Sequence, residues 1–191
     1  MSGVVLDAAD LPGRRTMIVG EVNSGKTTLT RRLLADWLDR EPGLGGRAAV
    51  VDLAPVVPAE LARQRGLTGV GGRLIPPEGS GVLHLFDHLV PPRLSARDEA
   101  EAVRLAGENL RLAEALLDRL DSSGRQVVFI NDLSLYLQAG AAARLASRLA
   151  AYPTVVANAY RGARLGGGEL SRRERAELEE ALAWFHRVVE L

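Results

Sequence analysis

Short apolar runs alternate with longer amphipathic segments along the chain, and this alternation predicts an α/β protein. The runs are TMIV, AAVVD, VLHLF, QVVFIND, TVVANAY and HRVVEL. One run, QVVFIND, lacks polar alternation, which is typical of a parallel strand buried on both faces. A strand–helix rhythm of this kind predicts a three-layer sandwich, with a mostly parallel sheet between helices. No long linker interrupts the pattern, so we expect one domain over residues 1–191.

The longest predicted helix opens at Ser95, with Asp98 three residues later as in a capping box, and ends before Gly124. Steps of three and four residues predict one buried stripe, formed by Val103, Ala106, Leu110, Ala113, Leu117 and Leu120. A second capping pattern, Ser171 with Glu174, is expected to open the last helix. Residues 66–81 are rich in Gly and Pro, and we expect them to form a loop on the substrate side.

Composition excludes several classes of function. The 191 residues have a formal net charge of +0, which gives no support to nucleic-acid binding beyond a local Arg patch. Cysteine is absent, so disulfides, thiolate metal sites and thiol nucleophiles are excluded. No apolar stretch approaches about 18 residues, so no membrane span is expected. No secretory signal is evident at the N-terminus, and a cytoplasmic location is the expectation.

Lys26 is the only lysine among 24 basic residues. It stands in GEVNSGKT, residues 20–27, which fits G-x-x-x-x-G-K-[ST] without a mismatch between a predicted strand and a predicted helix. Glycines allow such a backbone to curl until its N–H groups face one anion, and the helix adds its positive end. Lys26 is expected to reach the β- and γ-phosphates as a compact charge, and Thr27 to offer its hydroxyl to Mg²⁺.

This segment resembles the phosphate-binding loop of the P-loop NTPase superfamily. The resemblance implies a P-loop NTPase fold that binds a nucleoside triphosphate, with ATP and Mg²⁺ as cofactors. ATP is favoured over GTP because the stretch 158–161, NAYR, lacks the Lys and the Asp of a guanine-recognition motif. The nucleotide contacts implied by the resemblance are Gly20, Glu21, Val22, Asn23, Ser24, Gly25, Lys26, Thr27 and Thr28.

A P-loop also needs a carboxylate on the magnesium side. Asp132, after VVFIN, looks like the end of a Walker B strand, and Asp52 ends the strand that follows the P-loop helix; either could instead be a turn or N-cap residue. In RecA-like and AAA-like ATPases a Glu often follows the Walker B Asp, but Leu133 and Ser134 follow here, so the usual catalytic base is missing. Glu21 and Asp52 are candidates to replace it. The predicted catalytic residues are Lys26, Asp52 and Asp132, and the predicted magnesium ligands are Thr27, Asp52 and Asp132.

Other segments carry weaker signals. VVDLAPVVPAE is similar to the D-x-x-P stretch of RNA 5′-hydroxyl kinases and GPN-loop GTPases, and the order of residues 105–140 resembles corrinoid adenosyltransferases. A solvated charged surface is the favoured explanation of Arg161, Arg164, Arg172, Arg173 and Arg175, and a mobile lid over the phosphates is the alternative. Arg93 and Arg97 precede the long helix and are open to the same two interpretations. Tyr160 is a candidate for base stacking. A metal site at His84 and His88 is disfavoured, because the stretch is predicted to be a strand leading into a Pro turn and no third nitrogen ligand is nearby.

Three classes of function follow. The first is Mg²⁺-dependent binding and hydrolysis of a nucleoside triphosphate, slow or stimulated by a partner. The second is a kinase that passes the γ-phosphate to a small molecule or to a nucleic-acid 5′-hydroxyl. The third is a nucleotide-switched assembly protein. A homo-oligomer or an activating protein partner is compatible with each.

Overall fold

The apolar runs form one parallel sheet in the computed structural model, which describes residues 6–40, 43–57, 63, 72–165 and 167–191. The strands are β1 (Arg15–Gly20), β2 (Ala48–Asp52), β3 (Leu83–Phe86), β4 (Val127–Asn131), β5 (Thr154–Tyr160) and β6 (Arg187–Glu190). Their order across the sheet is β3-β2-β4-β5-β1-β6, and every pairing is parallel. The predicted α/β class and parallel sheet are therefore confirmed.

Helices connect the strands. They are α1 (Lys26–Leu38), α2 (Pro92–Ser95), α3 (Glu99–Asp121), α4 (Ser134–Leu137), α5 (Ala142–Leu149) and α6 (Glu169–Leu182). Two short 3₁₀ helices, Ala8–Asp10 and Leu44–Arg47, precede β1 and β2. None of the helices in the described part of the chain has the length and apolar character needed to cross a membrane.

The strands β1, β2, β4 and β5 send alternate side chains into two separate cores. Met17 and Val51 belong to the core that the sheet shares with α3, α5 and α6. Ile18 and Phe129 belong to the opposite core, where Trp37 of α1 packs with its ring centroid 6.4 Å from that of Phe129. Helices thus cover both faces of the sheet, as expected for strands that are apolar throughout.

Because all the strands run in the same direction, their carboxyl ends lie along one edge of the sheet. The register places Gly20 beside Tyr160, and Asp52 beside Asn131. Strand β5 lies between β1 and β4, so the segments that follow these three strands are neighbours. In open parallel sheets this edge is where ligands bind.

Two predicted helix starts are wrong. Ser95 ends the short helix α2, and the residue that caps α3 is Asp98, whose side chain accepts a hydrogen bond from the Glu101 N–H at 2.8 Å. The last helix begins at Glu169, so Ser171 lies inside its first turn. In both places a neighbouring residue could serve as the cap, and the periodicity alone does not choose between the candidates.

Of the predicted stripe of α3, Ala106, Ala113, Leu117 and Leu120 are buried, and Leu110 is partly buried. Val103 is 45% exposed, whereas Ala102, Asn109 and Leu116 are buried beside the predicted residues. The helix starts later than predicted, and its buried face is rotated toward Ala102, Asn109 and Leu116 and away from Val103. Of the predicted Gly/Pro loop, residues 66–71 lie outside the described residues, and residues 72–82 contain no helix or strand.

We expect Asp98→Ala to lower the free energy of unfolding by about 1 kcal/mol, the usual cost of removing an N-cap side chain. Ser95→Ala is the matched control, since the structure gives Ser95 no capping role on α3. Urea unfolding of both variants provides the measurement. A larger loss for Ser95→Ala than for Asp98→Ala would contradict the observed helix start.

Candidate functional site

The loop between β1 and α1 has a backbone that only particular residues allow. Gly25 is the N-cap of α1 with φ +94°, and Asn23 has φ +61°, so both lie in the left-handed region. A Cβ on Gly20 would stand 2.6 Å from the carbonyl oxygen of Leu191 and 2.6 Å from Ser24 Oγ. In the GEVNSGKT pattern, Gly25 is therefore required by its left-handed backbone, and Gly20 is required because a Cβ has no room there.

Lys26 lies inside the curl of this loop. Its Nζ donates hydrogen bonds to the carbonyl oxygens of Gly20 at 2.9 Å and Glu21 at 2.6 Å. Burial lowers the pKa of Lys26, while the negative charges of Asp132 and Glu21 act in the opposite direction. A single compact cation is thus positioned at the carboxyl edge of the sheet.

The first turn of α1 adds further positive potential. No side chain of the described residues caps its N-terminus, so the N–H groups there keep their capacity to bind an anion. The wall of the cavity at this turn includes Gly25, Lys26, Thr27 and Thr28, with Arg31 one turn further along the helix. The loop and the helix therefore present donors to the same space.

A buried polar network links α1 to the ends of three strands. Its members are Thr27, Thr30, Asp52, Asn131 and Asn158. Asn131 is at the centre: its Oδ1 accepts from Thr27 Oγ1 at 3.1 Å and from Asn158 Nδ2 at 2.9 Å. Its Nδ2 donates to Asp52 Oδ1 at 2.8 Å and to the Gly72 carbonyl oxygen at 2.9 Å. All four hydrogen-bonding positions of the Asn131 amide are occupied, which fixes its orientation.

Asn158 is fully engaged in the same network. Its Nδ2 also donates to Thr30 Oγ1 at 3.0 Å, and its Oδ1 accepts from the Asp132 N–H at 2.9 Å. The residue is 2% exposed. Its amide therefore holds α1 and the end of β4 in place and is not directed toward a nucleotide base.

Asp52 lies behind the network and does not line the cavity. Its side chain is fully buried and accepts hydrogen bonds from the N–H groups of Ala54 and Leu74 and from Arg73 Nε, each at 3.2 Å. His84 Nε2 lies 4.0 Å from the same carboxylate. Donors thus surround Asp52, and it reaches the cavity only through Asn131.

Asp132 lines the cavity in an unusual conformation, with φ +57°. Burial, together with the nearby negative charge of Glu174, raises the pKa of Asp132 to about 7, although Lys26 acts against the rise. A left-handed backbone at a non-glycine residue costs of order 1–3 kcal/mol. The conformation places a carboxyl group that titrates near neutral pH opposite the Lys26 loop.

Glu21 is directed away from the cavity. Its carboxylate accepts hydrogen bonds from the N–H groups of Val22 at 2.8 Å and Ala163 at 3.0 Å. Burial acts to raise the pKa of Glu21, but these hydrogen bonds and one with Tyr160 outweigh it, so the pKa is lowered. Glu21 therefore ties the loop to the segment after β5 and is poorly suited to accept a proton.

The cavity has a volume of about 350 Å³. Six of the nine predicted nucleotide-contact residues line it, while Gly20, Glu21 and Ser24 do not. Sequence reasoning missed Asn131, Ser134 and Gln138 as cavity residues, and it gave no preference to Arg93, which lines the cavity wall opposite the loop.

Two of the arginines considered as a lid are bound to other parts of the protein. Arg161 contacts Glu179 at 2.9 Å and Glu190 at 3.4 Å, and Arg173 donates to the Ala139 carbonyl oxygen at 2.6 Å. The Tyr160 hydroxyl accepts a hydrogen bond from the Leu165 N–H at 3.1 Å. Within the described ranges, no group of three His, Asp or Glu side chains is arranged to hold a metal ion. No protein-family model matches the chain, and no curated protein matches its sequence.

We expect Asp132 to make the free energy of unfolding fall as the pH rises. Between the ordinary pKa of 3.8 and the folded-state pKa of about 7, the folded state holds a proton that the unfolded state has lost. The stabilisation is therefore complete below pH 4 and is lost as the pH approaches 7. Each pKa unit corresponds to about 1.4 kcal/mol, so the loss should reach about 4 kcal/mol.

Urea unfolding of the wild type and Asp132→Asn across this pH range measures the effect without nucleotide. The difference between the two stabilities should change with pH, because the variant lacks the titrating group. Asp36→Asn, an exposed position on α1, is the control. A difference between wild type and Asp132→Asn that does not vary with pH would contradict the raised pKa.

Proposed function

We propose that the chain binds Mg²⁺ and a nucleoside triphosphate, ATP in preference to GTP. It transfers the γ-phosphoryl group, and water is the acceptor when no other is bound. The observation that carries this proposal is that Lys26, the first turn of α1 and Asp132 line the same cavity. A cation with backbone donors suits a polyphosphate, and a carboxyl with a pKa near neutrality suits proton transfer. The resemblance of residues 20–27 to a P-loop supports the same assignment.

The loop is suited to hold phosphate because Lys26 has only weak partners there. Its Nζ contacts two neutral carbonyl oxygens, and charged phosphate oxygens are stronger acceptors. On nucleotide binding we expect the ammonium to exchange these carbonyl contacts for contacts with the phosphates. The donors of the α1 first turn would bind the same polyphosphate chain.

The donor set near Thr27 fits Mg²⁺. Mg²⁺ prefers oxygen ligands, takes few of them from protein and keeps several waters and phosphate oxygens. The Thr27 hydroxyl oxygen supplies a ligand beside the phosphate-binding loop, and its hydrogen bond to Asn131 Oδ1, at 3.1 Å, orients it. When bound, Mg²⁺ would neutralise negative charge on the phosphates. Asp52 would support this site by orienting Asn131.

Asp132 is proposed as the general base. Asn131 makes the contact with Thr27, so it occupies the position on the magnesium side. Asp132 is the residue that follows it. This supports a base at the place where RecA-like and AAA-like ATPases carry a Glu, one residue earlier than the sequence pattern suggested. A water proton would pass to Asp132, the water oxygen would bond to the γ-phosphorus, and the bond to the bridging oxygen would break, so that ADP leaves with the electron pair.

We expect Lys26→Ala to weaken binding of Mg²⁺-ATP by at least about a hundredfold, since charge-assisted hydrogen bonds of about 1.5–3 kcal/mol each are lost. Isothermal titration calorimetry measures the affinity, and circular dichroism checks that the fold is kept. Arg47→Ala is the matched control, because Arg47 bonds to Gln126 at the opposite edge of the sheet. Unchanged ATP affinity in Lys26→Ala would contradict the proposed phosphate site.

We expect Asp132→Asn to reduce phosphate release from Mg²⁺-ATP by about 10²–10⁴-fold, the usual contribution of a general base, while ATP affinity changes little. Glu21→Gln tests the other candidate carboxylate and should lower the rate much less. Single-turnover phosphate release and calorimetry with and without Mg²⁺ give the two readouts. If Asp132→Asn loses Mg²⁺-dependent binding, and turnover falls only as much as binding does, Asp132 is a magnesium ligand and not the general base.

A further inference from the structure

The cavity continues beyond the phosphate-binding loop into a compartment with mainly apolar walls. We call this part the acceptor compartment; its apolar wall includes Ala54, Pro55, Pro91, Pro92, Leu94 and Leu135. Its polar wall is formed by Arg93 and Gln138. The triphosphate oxygens are charged and strongly hydrated, so an apolar wall suits the nucleobase or a second, less polar molecule. The polar atoms of the same wall favour the second molecule.

Two buried polar atoms in this compartment have no hydrogen-bond partner among the described residues. They are Arg93 Nε, a donor, and Gln138 Oε1, an acceptor. Gln138 is 4% exposed, so solvent does not satisfy its carbonyl oxygen. Leaving such atoms unpaired costs about 1–3 kcal/mol each, which a ligand with matching groups would recover.

Glu174 holds both of these side chains in place. Its Oε2 accepts from Arg93 Nη2 at 2.5 Å and from Gln138 Nε2 at 2.8 Å. The guanidinium and the amide are therefore fixed on one carboxylate oxygen, each with one free polar atom. A ligand group that both donates and accepts, such as a hydroxyl or an amide, matches this pair.

Charge in the compartment argues for a neutral ligand. Arg93 and Glu174 neutralise each other as a buried ion pair, and the apolar wall offers nothing to a phosphodiester. A nucleic-acid 5′ end carries a charged phosphodiester beside its hydroxyl and would leave that charge without a cation here. A small uncharged organic molecule suits the compartment better.

We propose that the acceptor compartment binds a small, largely apolar alcohol with a second hydroxyl or amide group, and that this alcohol receives the γ-phosphoryl group. The inference rests on the proposed function and names its acceptor. The second group pairs with Arg93 Nε and Gln138 Oε1, while the reacting hydroxyl gives its proton to Asp132. The alcohol oxygen bonds to the γ-phosphorus, the bond to the bridging oxygen breaks, and ADP and a phosphate monoester are the products.

Phosphorus NMR of the full-length protein with Mg²⁺-ATP and candidate acceptors tests the inference. The probes are cyclohexanedimethanol, its analogue cyclohexylmethanol, which lacks the second hydroxyl, and a 5′-hydroxyl oligonucleotide. We expect a monoester of the diol, with kcat/KM at least about tenfold above that of the mono-alcohol, equivalent to one hydrogen-bonded pair of about 1.4 kcal/mol. The oligonucleotide should remain unphosphorylated.

Variants test the residues. Gln138→Leu keeps the size of the side chain but removes Oε1, and Arg93→Lys keeps the charge beside Glu174 but removes Nε; each should abolish the preference for the diol. Gln126→Leu, at the far edge of the sheet, should keep it. Because the readout is a ratio between two acceptors, partial unfolding of a variant does not imitate the expected result.

The outcomes separate the two proposals. Phosphate release with no monoester above the protein-free control would overturn the inference and leave the proposed function intact. A diol preference that persists in Gln138→Leu and Arg93→Lys, or phosphorylation of the oligonucleotide in place of the diol, would also overturn it. Failure to bind ATP at all would overturn the proposed function and the inference together.

Discussion

The amide of Asn131 is the interaction on which the site depends. It joins the start of α1 through Thr27 to the ends of β2 and β5 through Asp52 and Asn158. Only an amide can do this, because the position must accept on one side and donate on the other. An Asp at this position would place a second carboxylate 2.8 Å from Asp52, and one of the two would have to be protonated. Asp52 and Asn131 together therefore carry one negative charge, on Asp52.

This arrangement also determines what Asp132 can do. With Asn131 turned toward Thr27, the chain must turn sharply at the next residue, and Asp132 adopts φ +57° there. The same turn directs its carboxyl group into the cavity, where burial and Glu174 raise its pKa to about 7. The network and the left-handed backbone thus meet where three strand ends pack against α1, while burial and Glu174 of α6 raise the pKa of Asp132.

The parts of the fold that could be predicted from sequence depend on local patterns. Buried parallel strands and the glycine–lysine loop have signatures within a few residues, and the strands appear where expected. The roles of Asn131 and Gln138 depend on tertiary contacts between distant segments, which no local pattern contains. Glu174 had an unused signal: it interrupts the stripe of Leu170 and Leu178 on α6 at spacings of four, and a charged residue in such a stripe is buried against a partner.

Stability alone gives little reason for the Arg93–Glu174–Gln138 cluster. A buried ion pair is often no more stable than apolar side chains of similar volume, and here it leaves Arg93 Nε and Gln138 Oε1 unpaired as well. Apolar residues would close this wall of the cavity without those costs, and the neighbouring Leu94 and Leu135 show that the wall accepts them. The cost is offset if the two atoms gain partners when a ligand binds, which places the function of the cluster in the bound state of the protein rather than in its folding.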